Sequence, residues 1–215
     1  MFRMRRSPIA REGIPFIAFF LAPSVALFML GLHILATITF AIALFVAYFF
    51  RDPERRTPPL SGIVVSPADG KVIERDEHSI DPYTNTPAKK LSIFMSIFNV
   101  HVNRAPLSGR VKEMFYNKGR FLIASAKGAS KENERNAVVL ELAPDKTVTL
   151  VQIAGFIARR IVCRLKVGDF IAQGERFGMI RFGSRVDLYL PPDTVILADV
   201  GEDVRAGETI IGRLE

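Results

Sequence analysis

The sequence has very few residues that could build a disulfide or a metal site. Among its 215 residues it holds one cysteine, Cys163, and three histidines. A single cysteine excludes an intramolecular disulfide and any zinc site built from cysteines. Because His33, His78 and His101 are far apart in sequence, we expect no clustered histidine site and no metal cofactor.

Charge is absent from one long segment near the N-terminus. Residues 14–50 contain no Asp, Glu, Lys or Arg and hold eight of the 17 Phe, which excludes intrinsic disorder and a purely cytosolic globule. A single helix of this length would be about 55 Å long, against a hydrocarbon core of about 30 Å. A break near Gly31 would divide the segment into two helices of membrane-spanning length. Because Arg11 precedes and Arg51 follows it, the positive-inside rule predicts a hairpin with both ends in the cytoplasm.

The net charge of +7 narrows the class of partner. No basic helix or aromatic-rich RNA motif accompanies it, so we expect no nucleic-acid partner. Attraction to anionic lipid fits a basic chain with an apolar segment better. We therefore predict localisation at the cell membrane, with the rest of the chain on the cytoplasmic face. Whether the hairpin crosses the bilayer or lies in one leaflet stays open.

A proline-rich, charged linker at residues 51–60 separates the apolar segment from a region with β-type alternation. This predicts two parts: a membrane-associating helical segment over 1–50 and a β domain over 51–215. The run at 158–165 fits a strand or a short helix, and the polar run KGASKENERN at 127–136 predicts an exposed loop. Strands are predicted within GIVVSPADGKVIER (62–75), LSIFMSIFNVHVNRAP (91–106), SGRVKEMFY (108–116), NAVVLELAP (136–144) and KTVTLVQIAG (146–155).

An internal repeat marks the C-terminal third. VGDFIAQGE (167–175) returns as VGEDVRAGE (200–208), with a glycine turn, an acidic residue and a second glycine in each copy. Two copies are too few for a solenoid. The pattern is similar to the flattened β-barrel of biotinyl and lipoyl carrier domains. The predicted fold is therefore mainly β, a compact barrel or sandwich with an N-terminal helical hairpin.

The dipeptide Gly183–Ser184 lies between the two copies, before the alternating run VDLYL. Local pattern alone favours an ordinary hairpin turn. The alternative is a strained peptide that its own serine hydroxyl attacks, since glycine leaves the carbonyl unshielded and adopts unusual backbone angles.

The segment RFGSRVDLYLP (181–191) resembles the processing site of phosphatidylserine decarboxylases, specifically of the short bacterial proenzymes. The resemblance covers essentially the whole chain, because further motifs match in order. These are FRDPERR (50–56), VVSPADGKV (64–72), FNVHVNRAP (98–106), NERN (133–136) and QIAGFIARRI (152–161).

The resemblance implies a self-processing enzyme. The Ser184 hydroxyl would attack the Gly183 carbonyl, and β-elimination would then release a β chain of residues 1–183 from an α chain of residues 184–215. Ser184 would become a covalent pyruvoyl cofactor, which forms a Schiff base with the amine of phosphatidylserine and acts as the electron sink for decarboxylation. The products would be phosphatidylethanolamine and CO₂, a lyase reaction of phospholipid biosynthesis.

Two helper residues follow from the same resemblance. His101 would be the general acid/base, since the pKa of histidine suits proton transfer near neutral pH. Asp69 would orient or charge-stabilise a base for self-cleavage. Longer bacterial relatives carry a second histidine where this chain has Arg104, so it stays open whether His101 serves both cleavage and decarboxylation.

Four further residues are candidates for binding the substrate. Arg159 and Arg160 are adjacent, so on a strand they would face opposite sides, and one of them would pair with the lipid phosphate. Pairing with the substrate carboxylate instead would stabilise the ground state and hinder decarboxylation. Phe98 and Phe182 would line an apolar pocket that disfavours the carboxylate charge.

Two other classes of function stay open on the residues alone. The repeat would suit a membrane-tethered carrier or adaptor, although Gly183–Ser184 stands where such a domain has its modified lysine. A membrane serine peptidase could use Ser184 with His101 and Asp69, but its chain would remain intact. The exact serine lipid, the acyl-chain preference and self-association through strand edges also stay open.

Overall fold

The computed structural model describes residues 7–119, 132–155, 160–181 and 184–215. The chain divides into two compact units, Met1–Glu54 and Arg55–Glu215.

The first unit is a hairpin of two apolar helices, α1 (Ile14–Met29) and α2 (His33–Phe49), entered through a 3₁₀ turn at Arg11–Gly13. Gly31 lies between them with φ +75°, a conformation that glycine adopts without steric cost, so the predicted break is confirmed. The helices pack through a buried hydrogen bond from Ser24 Oγ to the Ala36 carbonyl (2.9 Å).

The two ends of the helical hairpin meet, because the Ala10 amide donates to the Phe50 carbonyl over 2.8 Å. Within the described residues, the segment Arg11–Met29 is long and apolar enough to cross a membrane, and α2 is a shorter apolar helix. Large apolar side chains on both helices are exposed, Met29 by 81% and Ile34 by 79%. These features support membrane association of the N-terminal segment.

The second unit is mainly β, as predicted. Its strands in the described residues are β1 (Ile63–Val65), β2 (Gly70–Asp81), β3 (Thr86–Met95), β4 (Val102–Arg104), β5 (Gly109–Asn117), β6 (Arg135–Ala143), β7 (Lys146–Ala154), β8 (Ile161–Cys163), β9 (Phe170–Ile171), β10 (Arg176–Ile180), β11 (Ser184–Leu190), β12 (Thr194–Ile196), β13 (Asp203–Val204) and β14 (Ile210–Leu214). The run at 158–165 therefore contains a strand, not a helix.

These strands form one large sheet and two small ones. Among the described residues the large sheet has the order β13-β2-β3-β11-β7-β6-β5-β9, and the small sheets have the orders β1-β14-β12 and β4-β10-β8. Strand β11 is central in the large sheet and antiparallel to both neighbours. Its alternation places Val186 and Leu188 in the main apolar core, whereas Arg185 and Asp187 face the other side.

The internal repeat is a structural repeat. In the first copy Gly168 donates to the Val111 carbonyl over 2.8 Å, and in the second Gly201 donates to the Val72 carbonyl over 2.8 Å. The small sheets extend the equivalence, since β10 is the middle strand of one and β14 of the other. The likeness to biotinyl and lipoyl domains is compatible with this pairing and stays a prediction.

A second repeat, which the sequence reasoning missed, accompanies the first. SPADGKV (66–72) and APLSGRV (105–111) precede equivalent strands. The Arg104 amide donates to the Pro67 carbonyl over 2.9 Å, and the Val65 amide donates to the Pro106 carbonyl over 3.0 Å. The two halves thus exchange equivalent hydrogen bonds, as expected around an internal pseudo-twofold axis.

The predicted cleavage point lies where the chain changes sheets. Strand β10 of a small sheet ends at Ile180, and β11 of the large sheet begins at Ser184. Four residue steps span at most about 14 Å. The end of β10 and the start of β11 therefore lie within about 14 Å of each other. Each of the two is anchored in a different sheet.

The predicted exposed loop at 127–136 is wrong for its C-terminal end, because Asn133 and Asn136 are buried. Its N-terminal part, within 120–131, lies outside the described residues. The buried asparagines belong to the site described below, which explains why a polar run is not solvated here.

Gly178 and Gly212 occupy equivalent positions in the two small sheets and provide a test of this packing. A Cβ on Gly178 would lie 2.3 Å from the Val162 carbonyl oxygen, and one on Gly212 would lie 3.0 Å from the Val195 carbonyl oxygen. We expect Gly178→Ala to lower the free energy of unfolding by about 1–3 kcal/mol, and Gly212→Ala to lower it less. Thermal denaturation of the full-length variants, followed by circular dichroism, measures both. A Gly178→Ala variant as stable as wild type would contradict the described packing.

Candidate active site

Ser184 is the first residue of β11 and is completely buried. It lies opposite Met95 on β3 and opposite Ala154 on β7. Its Oγ donates to Met95 Sδ over 3.3 Å, so the hydroxyl points into the core face of the large sheet. Gly183, the predicted target of the Ser184 hydroxyl, and Phe182, predicted to line the substrate pocket, lie outside the described residues.

His101 is also completely buried and lies just before β4. Its Nδ1 is 3.0 Å from the Asn99 carbonyl oxygen. Because a carbonyl oxygen only accepts, Nδ1 carries the hydrogen, and the proton-accepting lone pair of the neutral ring is on Nε2. The His101 carbonyl accepts from the Ile180 amide (3.3 Å), so this histidine adjoins the strand that leads to the predicted cleavage point.

A chain of buried carboxamides ends at the sulfur that Ser184 contacts. Asn103 Nδ2 is 3.8 Å from Met95 Sδ, and Gln152 Nε2 donates to Asn103 Oδ1 over 2.9 Å. Asn136 Nδ2 in turn donates to Gln152 Oε1 over 3.1 Å. Carboxamides both donate and accept, so such a chain can stabilise charge that develops on an oxygen in a dry site.

Sequence reasoning missed these carboxamides, although a signal was present. Gln152 stands in the alternating run KTVTLVQIAG at a position whose neighbours on the same face, Leu150 and Ala154, belong to the apolar core. A polar residue at a core position needs a hydrogen-bonding partner, which here is another buried amide.

The NERN motif fixes the end of β7 beside Ser184. Asn133 is completely buried and its Nδ2 donates to the Ala154 carbonyl over 2.7 Å. The Ala154 amide donates to the Glu134 carbonyl over 2.9 Å. Both backbone groups of the residue opposite Ser184 are therefore held by this motif.

Arg104 stands at the position of the second histidine of longer relatives, and its side chain lies on the other side of β4 from His101. Alternation puts His101 and Asn103 on one face and Arg104 on the other. The Arg104 guanidinium donates to the Gly174 carbonyl over 3.1 Å. This contact binds β4 to the repeat unit.

Asp69 is buried in a second cluster, where Arg55 Nη2 donates to one carboxylate oxygen (2.7 Å) and the Ala206 amide to the other (2.8 Å). Arg55 also pairs with Glu208 over 2.7 Å. Burial opposes ionisation of Glu208, but the cation of Arg55 outweighs it and holds its pKa below the ordinary value. These contacts of Asp69, with Arg55 and Ala206, do not include His101. The role predicted for Asp69 therefore stays a prediction.

The pseudo-twofold axis relates Asp69 to Ser108. The backbone amide of Gln173, the counterpart of Ala206, donates a hydrogen bond to Ser108 Oγ over 2.9 Å. A hydroxyl therefore suffices for this backbone contact. Asp69 differs from Ser108 in its second carboxylate oxygen, which accepts a hydrogen bond from Arg55.

The remaining candidates lie near the surface. Arg160 is exposed, and its carbonyl accepts from the Arg181 amide over 3.4 Å, three residues before Ser184. Phe98 is 61% exposed, in the turn that joins β3 to His101. Arg159 lies outside the described residues.

Known proteins resemble this chain over nearly its whole length. The family model of phosphatidylserine decarboxylase matches residues 42–212. A phosphatidylserine decarboxylase proenzyme of Syntrophus aciditrophicus (strain SB) is 51% identical over 205 residues, 95% of this chain and 96% of that protein. Proteins of the same name from Citrifermentans bemidjiense, 50% identical over 97% of each chain, and Geotalea uraniireducens, 47% identical over 99% of each chain, are similar as well.

Replacing Asp69 by serine separates its backbone contact from its charge. Because Ser108 makes the equivalent contact with a hydroxyl, we expect Asp69→Ser to fold but to accumulate uncleaved precursor, with self-cleavage slowed roughly 10²-fold or more. A time course of chain cleavage on denaturing gels measures this rate. The matched control is Ser108→Ala, which removes the equivalent contact in the other half and should cleave at the wild-type rate. Wild-type cleavage by a folded Asp69→Ser protein would leave Asp69 with a structural role alone.

Proposed function

The chain belongs to the phosphatidylserine decarboxylase family, and from this premise we propose that it is a self-processing lyase that converts phosphatidylserine to phosphatidylethanolamine and CO₂. Its whole-length similarity to proteins named as proenzymes supports both the reaction and the processing. The carrier and peptidase alternatives lack this support.

The position of Ser184 is the observation that carries the proposal. It is a buried serine at the first residue of a strand whose two edges are both paired. A cut before Ser184 would leave residues 184–215 bound in the sheet by β3 and β7. This double pairing supports the proposal, because the α chain would stay in the fold after a chain break at this point.

The cleavage follows from the chemistry of serine. Ser184 Oγ adds to the Gly183 carbonyl carbon, the C–N bond breaks, and the freed Ser184 nitrogen takes a proton. Loss of the Ser184 Cα proton then breaks the Cβ–Oγ bond and releases Gly183 as a carboxylate. The remaining dehydroalanine takes up water and loses ammonia, which leaves a pyruvoyl group at the start of the α chain.

The residues around Ser184 fit a small ketone-bearing group. The hydroxyl occupies a buried position against Met95 Sδ, with the carboxamide of Asn103 against the same sulfur. A pyruvoyl group there would supply an electrophilic carbonyl that condenses with the substrate amine and accepts the electrons left by CO₂. Asn103 and Gln152 would hold that group, and their buried amides would favour charge on its oxygen.

His101 is proposed as the general acid/base. Since Asn99 fixes the hydrogen on Nδ1, Nε2 is the atom that takes a proton during self-cleavage and returns one to the carbon that loses CO₂. Asp69, paired with Arg55, is proposed to orient or charge-stabilise the base of the cleavage step. Arg104 donates to the Gly174 carbonyl, and an arginine does not act as a base at neutral pH. We therefore assign the acid/base role in both steps to His101.

The lipid would approach from the exposed side of the site. Arg160 is proposed to pair with the lipid phosphate, and Arg159 is the alternative. Phe98 and Phe182 are proposed to contact the lipid and keep the substrate carboxylate in an apolar setting that favours its loss. We further propose that residues 1–50 hold the enzyme at the cytoplasmic face of the membrane, where its substrate lies, and that residues 51–215 form the catalytic domain.

Release of CO₂ from carboxyl-labelled phosphatidylserine in detergent micelles tests the proposed function. We expect Ser184→Ala to be inactive, because it has no hydroxyl to make the electrophile, and His101→Gln to lose roughly 10²–10⁴-fold in rate. The matched control is His78→Gln at an exposed position of β2, which should retain wild-type activity. A carbonyl-directed hydrazine should label the α chain of wild type. Full activity of Ser184→Ala would refute the proposal.

A further inference from the structure

A group of charged residues, with a buried Arg–Asp pair and a partly exposed Glu74, lies on the face of the large sheet opposite the Ser184 hydroxyl. Arg185 is 3% exposed and Asp187 is 1% exposed. Arg185 Nε donates to Asp187 Oδ1 over 2.5 Å, and its Nη2 donates to Ser92 Oγ over 2.8 Å and to Glu74. Lys90 completes the group with a bond of 2.9 Å to Glu74. We call these five residues the charged ladder.

The charged forms of Glu74 and Arg185 are stabilised by their partners in the ladder. Burial opposes the charge of Glu74, but Lys90 and Arg185 outweigh it and hold the pKa of Glu74 below its ordinary value. Burial likewise opposes the charge of Arg185, and Asp187 and Glu74 outweigh it and raise the Arg185 pKa. The two cations of the ladder, Lys90 and Arg185, are thus paired with two carboxylates, Glu74 and Asp187.

Stability of an unbroken chain does not explain the ladder. Buried ion pairs are costly to desolvate, and well-packed apolar residues of similar volume often replace them without loss. The same sheet face already carries apolar packing, since Val151, Ile153 and Tyr189 form a cluster there. An apolar side chain at position 185 would suit this face.

The ladder lies next to the place where the chain is cut. In the processed enzyme Arg185 is the second residue of the α chain, with no covalent tether before residue 184. Ends of strands fray, and a frayed end here would move the reacting group away from Met95. The partners Glu74 on β2 and Ser92 on β3 belong to the β chain, so these bonds cross from one product chain to the other.

We infer that Arg185 is a positioning residue, which clamps the newly formed N-terminus of the α chain to the β chain through Glu74 and Ser92. The inference rests on the proposed cleavage between Gly183 and Ser184. Before cleavage the covalent chain holds Ser184 in place, and the clamp is dispensable. After cleavage it keeps residue 184 in register with Met95.

The test variant is Arg185→Met/Asp187→Leu in the full-length protein, which removes two opposite charges together and leaves the Lys90–Glu74 pair intact. We expect self-cleavage within roughly threefold of wild type and decarboxylation lowered by roughly 10²-fold in kcat, since a misplacement of about 1 Å costs this much. In the cleaved variant, amides at the start of β11 should exchange with deuterium faster than in cleaved wild type. In the uncleaved proteins the two exchange rates should be equal. Arg185→Lys, which keeps the charge, should recover part of the activity.

Two controls separate a clamp from a merely structural role. In the uncleavable Ser184→Ala background the double substitution should leave Tm and amide protection unchanged, and an equal loss of protection there would overturn the inference. Thr149→Val is the second control, because it removes a buried hydrogen bond from Thr149 on β7 to Asp81 on β2. Both strands belong to the β chain, so this substitution should affect the cleaved and the uncleaved protein alike. Ser92→Ala, a smaller change, provides the test if the double variant fails to fold, and should lower kcat while self-cleavage stays at the wild-type rate.

The outcomes distinguish this inference from the proposed function. Wild-type kcat and wild-type protection of β11 in a cleaved Arg185→Met/Asp187→Leu enzyme would overturn the clamp alone. An active wild-type protein that never cleaves would overturn the clamp together with the proposed function.

Discussion

The pairing of strand β11 along both of its edges is the constraint on which the rest of the structure depends. Each residue from Ser184 to Tyr189 has a partner on β3 and another on β7. Each backbone hydrogen bond contributes a net 0.5–1.5 kcal/mol in general, about 1 kcal/mol as a central value. Together with the apolar core under Val186 and Leu188, these bonds give residues 184–215 a place in the sheet that does not require a covalent link to residue 183.

The internal pseudo-twofold axis explains where that constraint applies. Each half contributes a small sheet and a glycine-turn unit. The chain leaves the small sheet of β10 at Ile180 and enters the large sheet at Ser184, the start of β11. The proposed cleavage point thus follows one anchored element and precedes another, the first held by the His101 carbonyl and the second by the large sheet. Such a junction allows a reaction at the backbone while both flanks stay fixed.

Alternation and glycine turns in the sequence were sufficient to predict the β class and most strands. The uncharged apolar segment at 14–50 and its length predicted the helical hairpin with its break near Gly31. Recognition of RFGSRVDLYLP identified the family and singled out Ser184. The repeat of SPADGKV as APLSGRV was missed because only Pro, Gly and Val are shared at equivalent positions. The carboxamide chain and the charged ladder were missed for a different reason: their partners come from strands distant in sequence, and only the sheet order brings Gln152 to Asn103 or Arg185 to Glu74.

The intact mass of the purified, active protein under denaturing conditions tests the central claim most directly, with Ser184→Ala measured beside it. We expect two wild-type chains, residues 1–183 and a 32-residue chain beginning at position 184 whose N-terminus carries a pyruvoyl group. Ser184→Ala should give one mass, that of the unbroken chain. A single unbroken mass for active wild-type protein would rule out a pyruvoyl group formed by cleavage before Ser184.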